Sequence, residues 1–215
     1  MNPFPLILSS PSGGGKTTIA RILLRRRQDL GYSISCTTRS PRVGERDGED
    51  YHFLTPDEFS TRRANGEFAE SAEVHGNQYG TLRSEVDRVF AAGRHVVMDI
   101  DIQGARQFVA AYPESVLVFL LPPSAKILMG RLTERQTEAP DAVRRRLIGA
   151  RDELAAVDQY QYVVVNDDLE IAIAQVASII DAETVRHRRV PLLEDRVRQL
   201  MDGLDREITQ YERAT

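Results

Sequence analysis

A glycine-rich segment near the start of the chain has the residue types that bind a phosphorylated ligand. Three consecutive glycines, Gly13 to Gly15, let backbone N–H groups turn toward phosphate oxygens. Lys16 can reach the β- and γ-phosphates of a nucleotide, and the hydroxyl of Thr17 can sit on a Mg²⁺ ion. The residues of the predicted nucleotide-binding loop are Ser12, Gly13, Gly14, Gly15, Lys16, Thr17 and Thr18.

The surroundings of this segment fit a phosphate loop. An apolar run at 5–8 precedes it, and 19–24 has the apolar spacing of a helix, so the glycines lie between a strand and a helix as such a loop requires. The strict pattern is G-x-x-x-x-G-K-S/T, and this chain has Ser10 at its first position. The match is therefore imperfect at one residue, and a plain glycine-rich turn is the alternative.

Alternating strand and helix patterns predict the fold that positions this loop. Four further apolar runs resemble buried parallel strands, at 32–35, 95–99, 115–120 and 162–166. Apolar residues recur every three or four positions in 143–157 and 169–180, as in amphipathic helices. We expect an α/β protein with a central parallel five-stranded sheet flanked by helices.

The segment from Arg39 to Gly93 has a different residue pattern from its flanks and predicts an inserted lobe with a small mixed sheet. Short alternating pieces at 51–54 and 68–74 lie among turns rich in glycine and charge. One short helix is expected here, with Thr55 as N-cap, Pro56 at the first helical position and Glu58 closing a capping box. Asn65-Gly66 is expected to end that helix.

Composition narrows the class of protein. A chain of 215 residues fits one domain with an insertion, and its net charge of −4 argues against a general nucleic-acid or membrane-surface binder. The single cysteine, Cys36, excludes an internal disulfide and suits a reducing compartment. No run approaches a membrane span, and no signal-like segment precedes the loop. A cytoplasmic location is expected.

Two segments outside the predicted sheet carry their own patterns. The stretch 131–141 has arginines at 131 and 135, three more follow at 144–146, and together they suit a lid, although a solvated basic helix start is the alternative. After Glu183 the chain becomes basic, and then apolar residues from Leu193 to Tyr211 recur at helical spacing. That stripe needs a partner, either this domain or another subunit.

Collinear motifs in the inserted lobe and beyond it narrow the class further. The segment SCTTRSPR at 35–42 is followed by GE at 44–45, DG at 47–48 and DYHF at 50–53. EFAE at 67–70, GNQYGT at 76–81, DIDIQG at 99–104 and VNDD at 165–168 come next in the same order. Together these motifs resemble guanylate kinases over roughly residues 5–181. The resemblance implies a P-loop kinase fold with a GMP-binding lobe and a helical lid.

The resemblance implies ATP-dependent phosphorylation of GMP and dGMP by direct in-line transfer, in purine metabolism and GMP recycling, with Mg²⁺ as cofactor. Arginine forks suit a phosphate and tyrosine hydroxyls add neutral donors, so four residues form the implied clamp for the acceptor phosphate: Arg39, Arg42, Tyr51 and Tyr79. Guanine offers two adjacent N–H donors that one carboxylate accepts, a task that falls to Glu70. Ser35 and Thr81 add hydroxyl contacts to the base.

Asp99 and Asp101 project to one side of a strand at its carboxyl end, where ligands bind in open α/β sheets. We assign Asp99, through water, and Thr17 to Mg²⁺ and Asp101 to the guanosine, with the two aspartate roles exchangeable and a helix cap as the alternative for either one. The predicted catalytic residues are Lys16, Arg39, Arg131, Arg135 and Arg146. Gln136 departs from the family pattern, which has glycine after the lid arginine, so lid geometry is the less determined part.

Two rival functions share the fold. Guanylate-kinase-like scaffold domains bind partners without turnover, and a related P-loop kinase phosphorylates a sugar phosphate; the intact loop argues against the first and Glu70 against the second. The predicted division is a core of 1–34, 94–125 and 158–183, a GMP-binding lobe of 35–93, a lid of 126–157 and a C-terminal helical extension of 184–215. ATP and GMP or dGMP are the expected partners, with no nucleic acid or membrane, and a homo-oligomer through the C-terminal helix is a hypothesis.

Overall fold

Nine strands and eight helices make up the regular structure in a computed structural model that describes residues 2–74, 76–133 and 140–214. The strands are β1 (Pro5–Ser9), β2 (Leu30–Tyr32), β3 (Cys36–Thr37), β4 (His52–Phe53), β5 (Phe68–Val74), β6 (Asn77–Leu82), β7 (His95–Asp99), β8 (Val116–Leu121) and β9 (Tyr162–Val165). The helices are α1 (Lys16–Arg26), α2 (Pro56–Ala64), α3 (Arg83–Ala91), α4 (Ile102–Ala111), α5 (Ala125–Thr133), α6 (Pro140–Leu154), α7 (Leu169–Thr184) and α8 (Leu193–Ala214). Short 3-10 turns occupy Val157–Gln159 and His187–Arg189.

The larger sheet has five parallel strands in the order β2-β7-β1-β8-β9, which confirms the predicted central sheet. The central strand, β1, is buried along its whole length, because apolar clusters cover both faces of the sheet. Burial on both faces explains why these strands are continuous apolar runs. The carboxyl ends of β1 and β7 lie side by side, with Leu8 opposite Asp99.

The predicted strand at 32–35 is wrong in its bounds. Only 30–32 pairs with β7, and the chain then leaves the larger sheet. The backbone N–H of Ile34 donates to the Glu85 carboxylate at 3.1 Å, so a side chain replaces the strand partner. Two residues later Cys36 pairs with Gly80 of β6. Residues 33–35 are therefore a crossing between two sheets.

The second sheet contains four strands in the order β4-β3-β6-β5 and is mixed, as predicted for the inserted lobe. It has a small core of its own, in which the rings of Phe59 and Phe68 stack at 4.4 Å between centroids. Cys36 is fully buried in this core. Helix α2 supplies Phe59 and covers one face of the sheet.

The predicted capping box of α2 is confirmed. Thr55 Oγ accepts from the Glu58 N–H at 3.2 Å, and the Glu58 carboxylate accepts from the Thr55 N–H at 2.8 Å. Pro56 begins the helix and Asn65 is its C-cap, as expected. Both otherwise unpaired N–H groups are thus satisfied locally.

Removal of this cap gives a testable stability prediction. Thr55→Ala is expected to lower the free energy of unfolding by about 1 kcal/mol, since an N-cap oxygen is lost. Urea denaturation followed by circular dichroism measures the change. Thr61→Ala in the exposed middle of α2 is the matched control, and we expect it to be neutral or slightly stabilising because alanine is the better helix former. Equal losses in both variants would contradict the capping role.

A buried ion pair ties the start of the C-terminal extension to the core. Arg189 Nη1 lies 2.7 Å from a carboxylate oxygen of Glu183, and both side chains are about 5–6% exposed. The Tyr162 hydroxyl donates to the same carboxylate at 2.6 Å, and the Arg189 guanidinium lies 4.2 Å from the Phe4 ring centroid. Beyond this anchor, α8 exposes almost all of its residues. None of the helices in the described ranges combines the length and apolar content needed to cross a bilayer.

Candidate active site

The predicted phosphate loop lies between β1 and α1. Gly13 and Gly15 have φ of 82° and 94°, a backbone region that favours glycine, and the helix begins at Lys16. The N–H of Gly14 donates to the carbonyl of Pro11 at 2.8 Å, which closes the turn. The free N–H groups at the start of α1 therefore face the same end of the sheet as Asp99.

The departure at Ser10 is accommodated by Gly14. Ser10 is fully buried and its hydroxyl donates to the Pro11 carbonyl at 3.0 Å. A Cβ on Gly14 would lie 2.5 Å from the Ser10 Cβ, so the side chain of Ser10 occupies space that Gly14 leaves open. Serine at this position is thus compatible with a closed loop.

The loop is also held from the far side of the sheet. The side-chain amide of Asn166, directly after β9, donates to the Gly14 carbonyl at 2.8 Å. Arg131 donates to the carbonyl of Asn166 at 3.3 Å, and Arg146 donates to the Leu132 carbonyl at 3.0 Å and to Ser12 Oγ at 3.4 Å. Two of the three predicted lid arginines therefore adjoin the phosphate loop. Arg135 and Gln136 lie outside the described residues.

Asp99 receives hydrogen bonds from two hydroxyls. Thr17 donates to one carboxylate oxygen, and Tyr32 donates to the other at 2.9 Å. Sequence reasoning gave Tyr32 no role, because only the pairing of β2 with β7 brings it beside Asp99. In the predicted strand at 32–35 Tyr32 is the first residue, whereas in the structure it is the last residue of β2, so the wrong bounds hid its position.

The oxygen donors around Asp99 fit Mg²⁺. A hydroxyl and a carboxylate are hard ligands, and Mg²⁺ characteristically keeps several waters and binds through one or two protein groups plus phosphates. Across residues 2–74, 76–133 and 140–214, no group of three or more His, Cys, Asp or Glu side chains is arranged to hold a metal alone. A Mg²⁺ ion held by Thr17 and Asp99 would take its remaining ligands from water and from the phosphates of a bound nucleotide.

Asp101 is the N-cap of α4. Its carboxylate accepts from the Gly104 N–H at 2.7 Å, which is the capping alternative considered for this aspartate pair. Asp101 still faces the same cavity as Asp99 and Glu70, so capping and ligand contact are compatible.

Glu70 and Thr81 face each other across β5 and β6. The Thr81 hydroxyl donates to the Glu70 carboxylate at 2.7 Å, and Thr81 is fully buried while Glu70 is 6% exposed. Burial raises the pKa of Glu70 to about 7, against the opposing effect of the Thr81 hydrogen bond. Ser35 lines the cavity beside them. One carboxylate oxygen thus has a protein donor, and the site offers a buried acceptor for N–H groups.

The absence of a side chain at Gly104 lets α4 approach Glu70. A Cβ there would lie 2.8 Å from Glu70 Oε2 and 3.3 Å from Asp101 Oδ1. Gly104 belongs to the DIDIQG motif at 99–104 but has no predicted role, since nothing in the neighbouring sequence requires glycine inside a helix. The contact between α4 and β5 supplies the reason.

For the activity that the resemblance implies, Gly104→Ala is therefore expected to raise the KM for GMP about tenfold or more and to leave the KM for ATP unchanged. The added methyl group displaces the carboxylate, and overpacking of this kind costs about 1–3 kcal/mol. Steady-state kinetics with each substrate varied in turn measures both constants. Gly203→Ala in α8 is the control, because its Cβ would meet nothing closer than 4.0 Å. An unchanged GMP KM in Gly104→Ala would contradict the assignment.

Arg39 lies at the mouth of the cavity, held by a carboxylate that sequence reasoning left without a role. Arg39 Nη2 donates to both oxygens of Glu45 at 2.9 Å, and the N–H of Arg42 donates to Glu45 at 2.7 Å. The Arg42 N–H and the Arg39 guanidinium together lower the pKa of Glu45. The rings of Tyr51 and Tyr79 meet edge to face at 6.1 Å, with Arg39 5.5 Å from the Tyr51 centroid. Glu45 thus orients the Arg39 guanidinium.

One cavity of about 260 Å³ collects seven of the predicted site residues. Its lining joins Asp99 at the end of β7, Lys16 at the start of α1 and Asp101 at the start of α4 with Ser35, Tyr51, Glu70 and Tyr79 from the inserted lobe. Tyr32 completes the floor. Arg42 lies outside the lining and is exposed. A glycine-rich phosphate loop beside a cavity with a buried carboxylate is the arrangement expected of a P-loop kinase that takes a mononucleotide as acceptor.

Comparison with known proteins identifies the kind of P-loop kinase. The family model described as guanylate kinase matches residues 2–183. A guanylate kinase of Chelativorans sp. (strain BNC1) is 48% identical over 91% of this chain and 90% of its own length. A guanylate kinase of Anaeromyxobacter dehalogenans (strain 2CP-C) is 50% identical over 85% and 81%. The crystal structure of guanylate kinase from Anaplasma phagocytophilum superposes with a TM-score of 0.72 at 36% identity, over 89% of this chain and 92% of that one.

This chain belongs to the guanylate kinase family. It is an enzyme that phosphorylates GMP at the expense of ATP. The resemblance drawn from the motifs is confirmed, and so is the predicted fold. The matched region ends at residue 183, so α8 lies beyond it.

Proposed function

We propose that this chain transfers the γ-phosphoryl group of ATP directly to the phosphate of GMP or dGMP, without a covalent enzyme intermediate. The bond from the γ-phosphorus to the β,γ-bridging oxygen breaks as a bond from an acceptor phosphate oxygen to that phosphorus forms, and ADP leaves. The observation that carries the proposal is the shared cavity, which Lys16 at the start of α1 and Glu70 on β5 both line. Because the acceptor is already an anion, no nucleophilic side chain is needed.

The inserted lobe supplies the acceptor site in this proposal. Glu70 accepts from the N1–H and N2–H of guanine, with Ser35 and Thr81 as hydroxyl partners and Asp101 on the guanosine side. The acceptor phosphate is held by Arg39, Arg42, Tyr51 and Tyr79. Support comes from the oriented Arg39 fork and the two adjacent tyrosine rings. Because dGMP carries the same base and the same phosphate, it is the second proposed acceptor.

The phosphate loop and the lid supply the donor site. The amides of 12–18 and Lys16 hold the ATP phosphates, and Thr17 with Asp99, through water, would hold Mg²⁺. When bound with ATP, Mg²⁺ neutralises charge on the β- and γ-phosphates. Arg131, Arg135 and Arg146 neutralise charge on the moving phosphoryl group, a role worth about 10³ to 10⁵ in rate for an arginine so placed.

An acceptor panel tests the substrate assignment. ADP formation is followed with GMP, dGMP, AMP, UMP and ribose bisphosphate at equal concentration. We expect turnover with GMP and dGMP alone, because AMP presents no matching pair of N–H donors to Glu70. Comparable rates with AMP would refute the base-reading assignment, and turnover of ribose bisphosphate would favour the sugar-phosphate alternative.

The division of the chain into a core, a GMP-binding lobe, a lid and a C-terminal extension is part of the same proposal. It is consistent with an enzyme that binds a donor and an acceptor nucleotide.

We also propose that two copies associate through α8, in a cytoplasmic setting suggested by the free Cys36 and by the nucleotide substrates. The helix exposes an apolar row that includes Val197, Leu200, Leu204 and Ile208, each 45–68% exposed. A helix of 22 residues is about 33 Å long, enough for a helix pair. Light scattering measures the mass of the full chain and of two variants. Leu204→Asp changes a residue of the apolar row, and Asp205→Asn is the exposed control. Monomeric mass for the full chain would end the proposal.

A further inference from the structure

Helix α6 places two side chains on one residue of the phosphate loop. Glu153 accepts from the backbone N–H of Ser12 at 3.0 Å, and Arg146 donates to Ser12 Oγ at 3.4 Å. The two residues are seven positions apart, which is about two helical turns and puts them on the same face. Ser12 is therefore in contact with the helix that follows the lid segment, although 141 residues separate it from Glu153.

The burial of Glu153 has no simple structural explanation. The side chain is half-buried, and burial raises its pKa, against the opposing effects of the Ser12 N–H and the Lys16 charge. In the described part of the chain no Lys, Arg or His lies within ion-pair distance of this carboxylate. A carboxylate near a site for polyanions opposes ATP binding electrostatically, so its presence beside the loop requires a reason. Within the described residues, its hydrogen-bond donor is the Ser12 N–H.

Ser12 is a position from which the whole loop is oriented. It directly precedes Gly13, the first residue of the loop with a left-handed φ of 82°. The direction of the Ser12 peptide therefore sets where the following N–H groups point. Because Ser12 also contacts Arg146, a shift of α6 moves the loop and the arginine together.

We propose that Glu153 is a positioning residue for phosphoryl transfer, whose carboxylate holds the Ser12 N–H and so fixes the phosphate loop relative to α6 and Arg146. The inference rests on the proposed roles of the loop and Arg146. It assigns Glu153 no contact with either substrate. Its contribution is to geometry at the ATP side, so the acceptor side is untouched.

The test is steady-state kinetics on the full chain with Glu153→Ala, Glu153→Gln and Glu153→Asp, with Asp152→Ala as the matched control on the same helix. Asp152 is exposed and pairs with Arg151. Glu153→Ala is expected to lower kcat/KM for ATP about 10- to 100-fold, since a hydrogen bond to a charged group is lost, and to leave the KM for GMP unchanged. Glu153→Gln keeps an acceptor oxygen at the same reach and is expected to recover most of the loss.

Each other outcome overturns the proposal. A Glu153→Ala variant that matches Asp152→Ala shows that the contact is only structural, and a lower KM for ATP shows that the carboxylate merely blocks the loop. Failure of Glu153→Gln to recover activity excludes the hydrogen bond as the cause. If Glu153→Ala does not fold, Glu153→Asp decides, because its shorter side chain withdraws from Ser12: a loss supports the proposal and parental kinetics overturn it. Lys16→Ala, assayed in parallel, reports independently whether the loop acts as proposed.

Discussion

Lys16→Ala is expected to lower kcat by at least about 10³, because the amine that neutralises charge on the transferred phosphoryl group is lost. This factor corresponds to about 4 kcal/mol of barrier. Lys16 begins α1 and lines the cavity on its ATP side, so the inserted lobe retains its acceptor contacts. The dissociation constant for GMP is therefore expected to stay at the parental value. Single-turnover kinetics measures the first quantity and calorimetric titration with GMP the second.

The control for this prediction is Arg25→Ala, which removes an exposed cation from the last turn of the same helix. It should leave both constants unchanged. A Lys16→Ala variant that turns over at the parental rate would show that the loop does not hold the donor. Equal loss of GMP affinity and turnover would instead show that Lys16 acts on both substrates, contrary to the separation proposed between them.

Glu70→Gln is expected to reduce the preference for GMP over AMP, by a factor approaching about 10⁴. A glutamine side chain offers one acceptor oxygen and one NH₂ group, and the latter opposes a guanine N–H that the carboxylate accepts. The comparison of kcat/KM for the two nucleotides measures the change. Glu73→Gln, an exposed neighbour on β5, is the control and should retain the parental preference. Unchanged discrimination in Glu70→Gln would assign base reading elsewhere.

The same residue predicts a pH dependence. Because the pKa of Glu70 is raised to about 7, the carboxylate that accepts guanine forms as pH rises through neutrality, and the KM for GMP is expected to fall over that interval. The Gln variant should lack this transition and keep only the titration of the GMP phosphate, whose second pKa is about 6. Stability runs the other way: with a folded pKa above the reference value of 4.5, the contribution of Glu70 is fully present below pH 4.5 and is lost as pH rises through 7. Above neutrality, Glu70→Gln should thus be more stable than the parent while binding GMP less well.

Features determined by neighbouring residues were predictable from the sequence. The capping box of α2 follows from Thr55, Pro56 and Glu58 alone, and the strand at 95–99 follows from its unbroken apolar run. The start of β2 was missed because Gly31 interrupts the apolar pattern there. Gly31 is nevertheless needed in the sheet, since a Cβ on it would lie 2.5 Å from Val89.

Features determined by tertiary contact were not predictable. Tyr32 reaches Asp99 across 67 positions, and Gly104 is required only because β5 packs against α4. Glu45 lay inside a quoted motif, yet its bond to Arg39 depends on how the 39–45 turn closes. The predicted site residues are therefore those that would contact the substrates. The residues that hold them in position were not predicted.

The two sheets share no strand, and this separation has an evolutionary consequence. The residues proposed to read guanine lie within 35–81, while those proposed to grip ATP come from the larger sheet and the segments next to it. Substitutions that change acceptor specificity can therefore accumulate in one contiguous stretch without altering the ATP-binding residues. Related enzymes can thus evolve a different phosphate acceptor while they keep the same ATP site.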